Sequence, residues 1–66
     1  MLFYCETEIG CRILEEKNLE SAKERMRKEV GQSLRMVRKA TDKDIAWVGG
    51  MGGFLPESAR IKKIIL

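Results

Sequence analysis

The glycine run Gly49-Gly50-Met51-Gly52-Gly53 holds the residue types in this chain that most invite chemistry. Closely spaced glycines let a backbone aim several N–H groups at one anion. Arg38 and Arg60 are the cations that would close such a cradle around a nucleotide or another phosphate. Two features weigh against that use. The run lacks the Gly-Lys-Ser/Thr ending of a phosphate-binding loop, and it follows a predicted helix, whereas phosphate loops precede the helix whose N-terminus faces the anion. The same glycines suit a helix end and a chain reversal at positive φ. The second candidate is the single tryptophan, Trp47. Tryptophan dominates the cores of small domains and is also enriched at binding hot spots. As a binding anchor it would act with Met51 and Phe54, rimmed by the cations Arg35 and Lys39.

Catalytic chemistry has little to work with. The chain has no histidine, so general acid and base work would fall to carboxylates. The glutamates occupy strand and helix positions that read as exposed, with nothing to shift their pKa values. Cys5 and Cys11 match neither Cys-x-x-Cys nor a zinc-finger spacing, and neither has a local base or helix N-terminus to activate it. The expectation is a non-enzymatic protein without metal or cofactor. Arg35, Arg38, Lys39 and Lys43, with Arg60, Lys62 and Lys63, would make a patch for nucleic-acid phosphates. The aromatics that stack bases are few, namely Trp47, Phe54, Phe3 and Tyr4, so nucleic acid ranks third among partners.

Sixty-six residues make one small domain, 1–66. A core of that size rarely supplies more than ~3–5 kcal/mol without a staple or a second subunit. A homo-oligomer is therefore expected. Charge is unevenly spread. Residues 1–24 carry six acids and three bases, net −3, and residues 25–66 carry four acids and ten bases, net +6. That split suits an acidic partner, nucleic acid, or head-to-tail self-association, and it suits a plain solvated surface as well. No signal-peptide pattern occurs and no apolar run approaches ~20 residues. The expected setting is cytoplasmic, with reduced thiols and no membrane.

The elements that must position these residues follow from periodicity. Leu2 to Ile9 alternates, with Phe3, Cys5, Thr7 and Ile9 on one face and Leu2, Tyr4, Glu6 and Glu8 on the other. Ile9-Gly10 is expected to turn a hairpin into a second run, Cys11 to Leu14, pairing Glu8 with Cys11 and Cys5 with Leu14. Asn18 caps a helix, Leu19 to Val30, with Leu19, Ala22, Met26 and Val30 along one stripe and Gly31 ending it. Ser33 to Ala40 alternates again, with Leu34, Met36 and Ala40 opposed to an exposed basic face of Arg35, Val37 and Lys39. Thr41-Asp-Lys-Asp44 reads as a capping box launching a short helix through Ile45, Trp47 and Val48, stopped by Gly49-Gly50. Core packing is the expected place of Trp47 and of Met26, Met36 and Met51. In the tail, Pro56-Glu57-Ser58 with Ile61, Ile64 and Ile65 suits a helix or a strand. The predicted fold is α+β: a small antiparallel sheet of hairpin and Ser33 strand, the Leu19 helix across one face, the Trp47 helix closing one end.

Val37-Arg-Lys-Ala-Thr-Asp-Lys-Asp-Ile-Ala-Trp-Val48, with Met51-Gly-Gly53 and Pro56, resembles the C-terminal half of small uncharacterised proteins of bacterial phages and mobile elements. The resemblance covers about a third of the chain, and its motif is structural. It implies a host-cell cytoplasmic setting and no particular activity; very small phage proteins often act by occluding a host protein or by sequestering a nucleotide signal, and the resemblance does not choose between these.

Overall fold

The computed structural model describes residues 1–57. Strands β1 (Leu2–Thr7), β2 (Gly10–Glu15) and β3 (Leu34–Lys39) form one antiparallel sheet in the order β2-β1-β3. Helix α1 (Leu19–Val30) joins β2 to β3 through a single 3₁₀ turn, and α2 (Asp42–Gly50) follows β3. The fold is the predicted α+β arrangement. The tail assignment and Arg60 lie outside the described residues.

Each face of the sheet carries its own core. Phe3, Cys5 and Leu14 pack against Ala22 and Met26 of α1, with Val30, Leu34 and Val37 at the margin. Tyr4 and Ile13, on the opposite face, pack against Ile45 and Val48 of α2 and against Leu55. Alternation along β1 decides which residue serves which core. Helix α2 thus covers a face of the sheet, where the sequence suggested that it would close an end. The reason is composition: Leu2 and Tyr4 are too apolar to leave a second face in water.

Local chemistry sets the helix bounds. The Asn18 side chain accepts from Ser21 N–H at 2.8 Å. At the other end Gly31 sits at φ 57 and donates its N–H to Arg27 O, a left-handed position that glycine reaches without cost. One surface network ties α1 to the sheet and to itself. Arg12 on β2 donates to Glu29 at 2.9 Å, and Arg25 reaches both Glu29 and Glu16 at 3.3 and 3.2 Å.

Two details depart from the sequence expectation. The hairpin turns on Glu8-Ile9, not Ile9-Gly10, so Thr7 pairs with Gly10, Glu6 with Cys11 and Cys5 with Arg12. A two-residue loop is the favoured hairpin connection, and here Thr7 Oγ1 donates to Gly10 O and accepts from Ile9 N–H, at 3.0 and 3.3 Å. The slip is of two residues, so every side chain keeps its face, but Ile9 leaves the sheet and is 93% exposed. In β3 the register shifts between the partners of Glu6 and Thr7, which are Met36 and Leu34. Arg35 is the extra residue of this bulge. Leu34 and Val37 consequently reach the same core, so Val37 does not belong to an exposed basic face.

Candidate functional site

The site is built around α2, and its start is the most tightly specified point in the chain. Thr41 Oγ1 accepts from Asp44 N–H at 3.2 Å, while Asp44 accepts from Thr41 N–H at 2.8 Å, completing the capping box. Arg38 from β3 then grips the same carboxylate through two bonds of 2.6 and 2.8 Å. This bidentate hold is the first cause that keeps the Asp44 pKa down at about 2. The Arg38 guanidinium also lies over the Tyr4 ring, 4.6 Å from its centroid. Tyr4 in turn donates its hydroxyl to Glu6 at 3.0 Å. Burial first, and that bond second, push the Tyr4 pKa up to about 12, so the phenol stays protonated. One chain of contacts therefore fixes α2 on the sheet.

Fixing α2 this way decides what its far end can bury. Ile45 and Val48 point into the core, and Trp47 and Met51 do not: they are 60% and 59% exposed. The expectation that Trp47 and Met51 fill the core fails for this reason, since α2 has one face on the sheet, Trp47 lies off its buried stripe and Met51 caps its end. Met26 is fully buried, whereas Met36 is part-exposed. Beside the helix opens a trough of about 400 Å³ between Trp47 and Met51 on one wall and the hairpin end of the sheet on the other, with Tyr4, Glu6, Glu8, Cys11 and Arg35 around it.

The residues singled out from sequence are partly brought together. Trp47, Met51 and Arg35 meet at this trough. Lys39 does not, because it sits opposite Phe3 in the ladder and so falls on the α1 face. Phe54 is exposed at the outer side of β2, where its carbonyl accepts from Ile13 N–H at 3.1 Å. There it borders a second depression with Ile9 and Val30. Glu6 and Glu8, missed as site residues, were visible in the alternation that set Tyr4, Glu6 and Glu8 on one face of the first strand.

The glycine run is engaged in ending α2. Met51 N–H donates to Trp47 O, Gly52 N–H to Gly49 O and Gly53 N–H to Val48 O, at 3.1, 3.2 and 2.9 Å. Three donors of an anion cradle are thus turned to helix carbonyls, Gly49 and Gly50 are helical, and Arg38 is held by Asp44. Gly53 has a further steric role: a Cβ there would lie 2.8 Å from Val48 Cγ1 and 3.1 Å from Cys11 O.

Burial raises the Cys5 thiol to about 11, which removes thiolate chemistry at neutral pH. Cys11 is half-buried on the opposite face, and both cysteines are free. Among the described residues no group of three His, Cys, Asp or Glu could hold a metal ion, and no helix is long and apolar enough to cross a membrane. The chain matches no family model, and no curated protein or solved structure is significantly similar to it.

Proposed function

We propose that this chain is a non-catalytic, cytoplasmic binding protein that inhibits or recruits a macromolecule of its host cell, through the surface formed by Trp47, Met51 and Arg35. The observation that carries this reading is the exposure of Trp47 on a helix whose orientation is independently fixed by the Thr41–Asp44–Arg38 contacts. A large aromatic held in water by a rigid support suits a preorganised anchor, which loses little side-chain freedom on binding. A phage or mobile-element origin rests on the resemblance of residues 37–56 and agrees with such a role.

The phosphate-ligand alternative has less behind it, because the Gly49–Gly53 amides Met51, Gly52 and Gly53 close the helix end. Nucleic-acid binding has less too. Arg38 is neutralised by Asp44, Lys39 and Arg35 fall on different faces, and Phe3 and Tyr4 are buried.

The test is quantitative capture of host proteins by the tagged chain and by its Trp47→Ala variant, with Trp47 fluorescence as a second readout. A partner retained by the parent and lost by the variant, and which shields Trp47 from a soluble quencher, supports the reading. A partner held equally by both contradicts it.

A further inference from the structure

The trough beside Trp47 carries charge as well as apolar surface. Its sheet side presents two carboxylates, Glu6 and Glu8, against the single guanidinium of Arg35. Glu6 is bonded to the neutral Tyr4 hydroxyl, and Glu8 has no ion-pair partner among the described residues. An occupant that fits is therefore an apolar segment bearing cations. This chain contains one: Arg60-Ile61-Lys62-Lys63-Ile64-Ile65-Leu66 has four branched aliphatic residues, three cations and no acid.

The course of the described chain bears on whose segment it is. Phe54 bridges Arg12 in parallel, and Leu55 is buried under α2, so the chain passes Phe54 in the direction of β2. That direction leads to the Glu15 end of the sheet, whereas the trough opens at the Glu8-Ile9 turn. A segment from the same molecule would have to reverse and retrace the sheet. One from a neighbour needs no reversal. Resting on the reading of this face as a binding surface, we propose that the trough receives residues 60–66 of a second copy, in a reciprocal exchange between two chains. Such an exchange is isologous and closes as a two-fold dimer. It also turns the opposite charges of the two parts of the sequence toward each other.

Native mass spectrometry and light scattering of the full chain across micromolar concentrations test this. The parent should be dimeric. Trp47→Ala, Met51→Asp and the double variant Ile64→Asp/Ile65→Asp should each be monomeric while keeping a native far-ultraviolet spectrum. Glu8→Lys should weaken association about tenfold, as expected for one unpaired interfacial charge. The decisive arm mixes Met51→Asp with Ile64→Asp/Ile65→Asp. One intact trough then meets one intact segment, and a heterodimer should form. A monomeric parent overturns the proposal, as does a double variant that dimerises like the parent or a mixture that stays monomeric. If Trp47→Ala and Met51→Asp abolish association while Ile64→Asp/Ile65→Asp does not, the exchange fails and the Trp47 binding surface still stands.

Discussion

The two faces of the sheet are covered by helices of different kinds. On one, α1 is a twelve-residue amphipathic helix that turns Ala22 and Met26 inward and leaves its charges in water, with Arg12, Glu29, Arg25 and Glu16 lacing its rim. On the other, α2 is nine residues long and nearly all apolar after its cap, so the sheet can bury only part of it. Ile45 and Val48 go in, and Trp47 and Met51 stay out. The difference separates two uses of apolar residues in one small domain: α1 turns its large inner side chains onto the sheet and serves folding, while α2 leaves Trp47 and Met51 in water, on a support that cannot easily turn to hide them.

Truncation of a large residue on each face is the strongest way to break this comparison. Phe3→Ala should cost about 3–5 kcal/mol and Met26→Ala about 2–5 kcal/mol, the usual penalties for emptying a packed site and a large share of the stability of a domain of this size. Urea denaturation would show it. Trp47→Ala should change the unfolding free energy of the dilute, monomeric chain by less than about 1 kcal/mol, as for exposed positions generally. Next in size is Gly53→Ala, where the new Cβ must displace Val48 or the Cys11 carbonyl. Overpacking of that kind costs about 1–3 kcal/mol and should appear as a lowered melting temperature.

The Asp44 contacts predict a pH effect of known sign. The folded-state pKa of Asp44 is about 2, below its ordinary 3.8. A depressed carboxylate contributes stability that is fully present above the unfolded value and is lost as pH falls through the folded one. Acid unfolding should thus draw on this group between about pH 4 and pH 2. Arg38→Met should return the Asp44 pKa toward 3.8 in an NMR titration and flatten stability across that window. Glu29, held low first by its hydrogen bond from Arg12, shifts in the same direction. Arg12→Met should have the smallest effect, on the order of 0.5 kcal/mol, because its partner is substantially exposed.

Much of the architecture was legible in the sequence because period-two and period-3.6 patterns report burial directly. The Asn18 cap, Gly31 and the Thr41–Asp44 box were visible for the same local reason. What escaped depends on register and on three-dimensional allocation. The Glu8-Ile9 turn differs from Ile9-Gly10 by hydrogen bonds to one threonine hydroxyl, and the Arg35 bulge leaves no mark in composition. Trp47 could not be placed from sequence, since a helix that is apolar all round does not say which side its neighbour will cover. The glycine run has the composition of a ligand cradle, and only the fold assigns the amides of Met51, Gly52 and Gly53 to helix carbonyls. Trp47, Met51 and Arg35 were foreseen as a set, whereas Lys39 and Phe54 were separated from it by strand parity and by the path of the chain beside β2.

The central claim is that Trp47 serves association and not folding. The measurement that tests it most directly is the urea midpoint and the native mass of Trp47→Ala, taken on the same preparation as the parent chain. The account predicts loss of association at micromolar concentration, together with an essentially unchanged midpoint once both chains are diluted until the parent too is monomeric. A midpoint lowered as far as that of Phe3→Ala, or association that survives the substitution intact, would contradict it.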